Sequence, residues 1–218
     1  MRRTLLIFAA LCAYAQGVHP ITGRQYAGVM SANGADWLSR PEREEEEHPD
    51  QALDAIGIVK GSAVADVGAG SGQITWRLAK RVGSAGKVYA VDIQPRMLEL
   101  LQQNMAQRKI ANVAAVLDTA YDPKLPPASV DLELMIDVYH EFSHPQEMLR
   151  HLRDALKPGG RMVLLEYRGE DPSVPIRPEH KMTVAMVKAE VEPEGLYLDK
   201  TMETLPRQHI LIFKVKPQ

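Results

Sequence analysis

The sequence predicts an α/β fold built on a mainly parallel sheet. Three observations predict it. Helix and strand signals alternate from Pro49 onward. The first strand runs straight into the glycine-dense turn of "VADVGAGSGQ", Val64 to Gln73. The segment "LYLDKTMETLPRQHILIFKV" holds two strand signals with no room for a helix between them. Alternation implies parallel strands joined by right-handed crossovers, whereas a helix-free pair must be antiparallel.

The elements follow in order. A short helix spans about Asp50 to Ile56 and is stopped by Gly57. "SAVADV" is the first strand. "QITWRLAKRV" is amphipathic, with Ile74, Leu78 and Val82 on one face. After the "GSAGK" turn, "KVYAVDI" is the second strand. Pro95 opens a helix that carries Met97, Leu98, Leu101 and Met105 and ends near Lys109. "NVAAVL" is the third strand, and the prolines of the following "DPKLPP" forbid helix continuation. "VDLELMID" is the fourth strand. Pro145 opens a helix with a Pro-Gly-Gly stop, and "RMVLLEY" is the fifth strand. A helix at about Pro178 to Val191 precedes the closing pair. No repeat, low-complexity linker or second domain is visible.

Residues 16–50 form an extension with Gly, Pro and Asn breakers and little periodicity. Tyr26, Met30, Trp37 and Leu38 are expected to pack there as a cover on the main domain. The run Glu44 to Glu47 after Pro41 suits the first turn of a helix. It reads first as a solvated face and second as an acidic patch lining a pocket. Ahead of the extension, Arg2 and Arg3 precede an apolar run, Leu5 to Tyr14, that ends in the small-x-small pattern Ala13 to Ala15. Residues 1–15 are therefore predicted to be a secretory signal peptide, too short for a stop-transfer span. The competing readings are a buried helix and a mis-chosen start. Cleavage predicts an exported protein, periplasmic or secreted, with no stable membrane anchor; without cleavage it is cytoplasmic.

Composition excludes some functions. The 218 residues are 45% hydrophobic and 25% charged, as in a soluble globular domain. A net charge of -2 with scattered Lys and Arg gives no nucleic-acid face. Cys12, the only cysteine, lies in the leader, so the mature chain has no disulfide and no thiol nucleophile. Nothing predicts a metal site, and the oligomeric state is open.

Ligands of such sheets sit beyond the carboxyl ends of the strands, near the switch in strand order. That places the glycine turn at the site. A nicotinamide or flavin site would show G-x-G-x-x-G. Here the spacing is G-x-G-x-G, at Gly68, Gly70 and Gly72, with Gln73 where a third glycine would fall. Asp66 just before the turn would meet a diphosphate badly but suits an ammonium group. Asp92 ends the second strand, where a carboxylate can take both hydroxyls of a ribose.

"VADVGAGSG", "YAVDI" and the acid-bearing fourth strand resemble the class I S-adenosylmethionine-dependent methyltransferases, over roughly Gln51 to Val215. The resemblance implies a doubly wound, Rossmann-like, seven-stranded mixed sheet of order 3-2-1-4-5-7-6 with strand 7 antiparallel. It implies a methyltransferase domain over 51–218, with 16–50 as extension or lid. It implies S-adenosyl-L-methionine as cofactor, its methionine part held by Asp66 and the turn of Gly68, Ala69, Gly70 and Gly72. Asp92 would bind the ribose diol, and Ile93 would pack against the adenine. Asp118 and Asp122 compete for the adenine amino group, because "LDTAYDPKLP" departs from the commoner Gly-Asp-Ala spacing; Asp118 is preferred. Asp137 would face the methionine end or the substrate. Against these roles, Asp66 and Asp137 could simply cap turns, and the glycines could serve strand-helix packing.

The stretch "DVYHEF", Asp137 to Phe142, opens onto the methyl end. Its Tyr139 and His140, with Asp137, are the candidate catalytic residues, since a histidine exchanges a proton near neutrality. Glu141 either orients His140 or points to water. The plainer reading makes Tyr139 and His140 the floor of the pocket. A small-molecule acceptor is expected, with Arg40 or Arg43 pairing with a carboxylate under the lid. The alternative is a protein of the same fold that binds the adenosyl cofactor without turnover. A nucleotide-dependent oxidoreductase is disfavoured by Asp66 and the missing third glycine.

Overall fold

The computed structural model describes residues 17–217. The leader predicted over residues 1–15 lies outside the described residues. The sheet is built from β1 (Ala63–Val67), β2 (Lys87–Asp92), β3 (Val113–Leu117), β4 (Val130–Ile136), β5 (Leu156–Arg168), β6 (Lys181–Met182), β7 (Leu196–Met202) and β8 (Gln208–Val215). Its order is β3-β2-β1-β4-β5-β8-β7, with β6 pairing β5 off this path. Strands β1 to β5 pair in parallel, and β8 runs antiparallel to both β5 and β7. Setting aside the two-residue β6, this is the expected topology.

Helices cover both faces, because successive strand residues point to opposite sides. On one face Val67, Met135, Leu164 and Phe213 pack with α6 (Pro145–Ala155) and α7 (Val184–Val191). On the other, Val64, Leu134, Val163 and Ile212 pack with α3 (Pro49–Ile56) and α4 (Thr75–Val82). Helix α5 (Pro95–Gln107) presses Leu101 and Met105 toward Ala69 and Ala90. Gly57 closes α3 at φ 71°, a left-handed value that favours glycine. Among the described residues no helix is long and apolar enough to cross a membrane.

Three elements differ from expectation. The helix predicted from Pro178 starts at Val184, because the Thr183 hydroxyl accepts from the Met186 N–H and caps it. Residues 178–180 form a 3-10 turn instead. The Pro-Gly-Gly stop is absorbed into β5, where the register against β4 shifts between Val130 and Leu132. The extension is more ordered than its breakers suggest, with α1 (Ala35–Leu38) and α2 (Glu42–Glu47). In α2, Glu44 and Glu45 are exposed as the solvated-face reading expects, but Glu47 turns inward and is buried.

The core also holds a carboxylate with no partner. Glu133 on β4 is fully buried, and neither carboxylate oxygen has a hydrogen-bond partner. Burial holds its pKa well above the ordinary 4.5. The folded state therefore binds this proton more tightly than the unfolded chain does. The stability is fully present below about pH 4.5 and declines as pH rises toward the folded-state pKa. Glu133→Met is expected to stabilise the protein at pH 8 by about 1–3 kcal/mol and to flatten that pH dependence. Urea unfolding at pH 5 and pH 8 checks this; equal or lower stability of the variant at pH 8 contradicts it.

Candidate active site

The ends of β1, β2 and β4, the glycine turn and the N-terminal segment enclose a cavity of about 740 Å³. That is the size of a pocket for a drug-sized or cofactor-sized ligand. Asp66, the last acid of β1, lines it and is nearly buried. Its Oδ2 accepts from the Thr75 hydroxyl at 2.6 Å. Burial, with a smaller push from Asp92, raises its pKa to about 6. A carboxylate in this state gains by meeting a cation.

After Asp66 the chain turns back on itself with Gly68 at φ 72° and Gly70 at φ 53°. A Cβ on Gly68 would sit 2.5 Å from both methyls of Val138, and one on Gly70 would sit 2.9 Å from Leu38 Cδ1. Both glycines, with Ala69, line the cavity. Gly72 does not. Its Cβ would meet Leu101 Cγ at 2.9 Å and Met105 Cε at 3.0 Å. Gly72 thus serves the close packing of α5 rather than the pocket, which corrects its expected place in the cofactor cradle.

Asp92 closes β2. Its Oδ2 accepts from the Gly70 N–H and its Oδ1 from the Gln94 N–H, both at 2.8 Å. These bonds tie the β2 end to the glycine turn. Ile93 follows, half exposed on the cavity wall. Asp118 also lines the cavity, whereas Asp122 is bonded to Lys124 away from it. Asp118 Oδ1 is buried and makes no hydrogen bond. Burial and the nearby Asp92 raise its pKa to about 7. The site thus holds a cradle without side chains, a carboxylate suited to a diol and a buried acceptor lacking a donor. This donor set fits an adenosyl amino acid.

The stretch after β4 forms a 3-10 turn, Tyr139–Glu141. Asp137 enters it at φ 55°, lines the cavity and accepts both of its bonds from Gln208 Nε2. Burial, Glu47 and Glu166 hold its pKa well above the ordinary value. His140 lines the cavity, with Nδ1 2.5 Å from Glu166 Oε2 and Nε2 3.0 Å from His180 Nδ1. Burial pulls the imidazolium pKa down, but Glu166, with help from Glu141 and Asp137, outweighs it, and the net shift is upward. Burial lowers that of His180, and the neighbouring His140 adds to the effect.

Tyr139 is a correction. It is wholly buried, its hydroxyl donates to Glu190 Oε2 at 3.0 Å, and it is not part of the cavity wall. The reading of Tyr139 as a catalytic group therefore fails on access. The residue that orients His140 is Glu166, on β5, rather than Glu141. Glu141 does line the cavity, and its pKa is raised to about 7 by burial, against the opposing pull of His140.

The N-terminal segment closes the other side. Gln94 donates to the Met30 carbonyl and accepts from the Ala32 N–H, at 2.8 and 3.0 Å. Met30, Trp37 and Leu38 line the cavity, as the cover reading expects, although Trp37 is 57% exposed and Tyr26 packs elsewhere against Arg24. Arg40 and Arg43 also line it, but their charges are matched within the chain. Arg43 Nε donates to Glu47 at 2.6 Å, and Arg40 pairs with Glu46 and lies 3.8 Å over the Trp37 ring. Both are therefore already engaged by acids of the chain's own α2.

A glycine turn after the first strand of such a sheet, with an acid at the end of the second, defines an adenosyl-cofactor domain. Comparison with known proteins agrees. The model of the methyltransferase domain family matches residues 58–208, and the chain belongs to that family. A ubiquinone/menaquinone biosynthesis C-methyltransferase of Ectopseudomonas mendocina is 29% identical over 116 residues, 53% of this chain and 45% of the relative. A demethylmenaquinone methyltransferase of Tropheryma whipplei is 36% identical over 116 residues, 53% of this chain and 46% of the relative. The chain thus spans about half the length of the curated relatives it matches. The crystal structure of a SAM-dependent methyltransferase from Aquifex aeolicus has a TM-score of 0.81 and 26% identity, covering 86% of this chain and 100% of that one. The fold and domain are those of an S-adenosylmethionine-dependent methyltransferase, and S-adenosylmethionine is the cofactor.

Asp92→Ala is expected to weaken S-adenosylmethionine binding by about 1–3 kcal/mol, the loss typical of charge-assisted hydrogen bonds. Calorimetric titration checks it, and unchanged affinity contradicts the placement of Asp92.

Proposed function

We propose that the protein transfers the methyl group of S-adenosylmethionine to a small molecule held between the N-terminal segment and the His140 turn. The observation that carries the proposal is that His140, braced by Glu166, opens on the same cavity as Asp66 and the glycine turn. When bound, the cofactor supplies a methyl group on a positively charged sulfur, which leaves as a neutral thioether as the new bond forms. The chain has to place the acceptor in line and exclude water.

In this reading Asp66 meets the ammonium group, Asp92 the ribose hydroxyls and Asp118 the adenine amino group. Ile93 packs on the adenine, and Gly68 to Gly70 let the cofactor approach the backbone. Asp137 sits between the cofactor end and the acceptor. Residues 51–218 act as the transferase domain and 16–50 as the lid. His140 and His180 face the group that loses a proton as it is methylated. The apolar Met30, Trp37, Phe142 and Ile176 line the same cavity as the two histidines. This mixture supports a flat ring bearing an ionisable hydroxyl. The names of the curated relatives, which concern ubiquinone and menaquinone synthesis, point the same way. We also propose that residues 1–15 are removed on export, on the strength of Arg2, Arg3 and the apolar run after them.

The test is a panel of hydroxylated ring compounds with methyl-labelled cofactor. The expected result is label in one acceptor class, with one demethylated cofactor formed per product. Tight cofactor binding with no label moved across the panel would instead favour a cofactor-binding protein without turnover.

A further inference from the structure

We propose that His140 Nε2, His180 Nδ1 and the Glu141 carboxylate form a binding site for a divalent transition-metal ion of the zinc type, at the acceptor end of the cavity. The inference deepens the methyltransferase reading and rests on it only for what the ion would do.

The geometry carries it. The three donor atoms lie within 4.8 Å of one another. Two imidazole nitrogens on a tetrahedral zinc, each ~2.0–2.1 Å from it, sit roughly 3.3 Å apart. Here His140 Nε2 and His180 Nδ1 are 3.0 Å apart, with the rings edge to face at 79°. The two nitrogens now share a hydrogen bond, and an ion replaces its proton once the rings part by a few tenths of an ångström and turn their lone pairs toward it. Glu141 lies half-buried beside them, and a side-chain rotation brings its carboxylate the remaining distance.

The surroundings are those of a ligand set. His140 Nδ1 is bonded to Glu166, the carboxylate–histidine arrangement that fixes which nitrogen faces a metal and raises its basicity. Glu166 is wholly buried, and its second oxygen accepts from the Tyr139 N–H at 3.0 Å, so the brace itself is held. Carboxylates outnumber cations here: Glu141, Glu166 and Asp137 lie near His140, against Arg177 near His180, while Arg43 is already bonded to Glu47. A dication offsets that excess. Two histidines and one glutamate leave a fourth position open, as in catalytic rather than structural zinc sites.

The open position faces the cavity, so an acceptor hydroxyl can bind there. The ion lowers the pKa of the hydroxyl, its proton passes to water, and the resulting oxyanion is the nucleophile. As the bond from oxygen, or from the ring carbon conjugated to it, forms to the methyl carbon, the sulfur–methyl bond breaks and its electron pair stays on sulfur. On ring carbon a second proton then leaves to water.

The experiment uses untagged protein cleared of metal by a chelator. Zn²⁺ and Co²⁺ are titrated by equilibrium dialysis, with cobalt absorption in the visible, and S-adenosylmethionine is titrated separately. One ion per chain is expected, with intense tetrahedral cobalt bands. His180→Ala is expected to lose about 100-fold in metal affinity, and Glu166→Gln about 10–100-fold, with cofactor affinity unchanged in both. If His180→Ala does not fold, His180→Gln carries the same comparison. Wild-type protein that binds the cofactor but no ion, or His180 variants that bind metal as tightly as wild type, would overturn the proposal. Metal binding without cofactor binding would overturn the methyltransferase reading and leave the metal site standing.

Discussion

Replacing Glu166 by glutamine is expected to cut turnover by about 10²–10⁴-fold and to leave cofactor affinity unchanged. The amide still offers an oxygen to the Tyr139 N–H, which Glu166 Oε1 now accepts at 3.0 Å. Its NH₂ then faces His140 Nδ1, where the carboxylate stands at 2.5 Å. A donor there forces Nδ1 to accept, so the proton moves to Nε2. The nitrogen facing His180 and the cavity loses its lone pair. It then takes neither a proton nor a metal ion. The fold should tolerate the change, because the variant keeps the volume and one bond. Steady-state kinetics beside a cofactor titration check the prediction. Equal losses in turnover and cofactor affinity would mean that Glu166 merely holds the pocket together.

Glu190→Ala should destabilise the protein strongly, by about 3–5 kcal/mol. Glu190 on α7 is wholly buried and collects the N-terminal segment onto the domain. Arg24 Nε donates to both of its oxygens, at 2.9 and 3.0 Å. The Thr22 and Tyr139 hydroxyls also donate to it, and His19 Nε2 lies at 3.5 Å. Removing the carboxylate leaves Arg24 buried without its counter-charge. Arg24 and Ala27 in turn hold the His140 carbonyl, at 2.9 and 3.1 Å. The loss therefore reaches the site, and turnover should fall along with stability. Urea unfolding should show a lower midpoint with an unchanged slope. A loss below about 1 kcal/mol, the level of an exposed ion pair, would mean that the segment is held by other contacts.

The fold was largely legible because its signals are local. Strand runs such as "KVYAVDI", the proline at the start of α5 and the glycine after α3 each act within a few residues. What escaped was set by distance. Whether Thr183 or Pro178 starts the last helix depends on residues 181–182 pairing with β5. Glu47 looked like one more solvated acid in "EREEEE" until Tyr167, far along the chain, donated to it at 2.9 Å.

The site divides the same way. Asp66, Gly68, Gly70 and Asp92 follow from strand ends that the sequence marks, and they meet at one cavity. Gly72 has the right spacing but faces α5, a difference only the packing of Leu101 and Met105 reveals. Tyr139 and His140 are adjacent, so a pattern alone could not say which turns inward. Glu166 sits inside the apolar run "RMVLLEY", where an acid in a wholly buried strand is itself a signal. His180 meets His140 only through the fold, from a loop that carried no pattern of its own.

The proposed transfer requires this cavity to hold S-adenosylmethionine against the His140 turn. Calorimetric titration of the wild-type protein with S-adenosylmethionine, followed by competition with its demethylated product, tests it most directly. One molecule per chain is expected to bind, with competition at the same site. A folded protein that binds neither compound would contradict it.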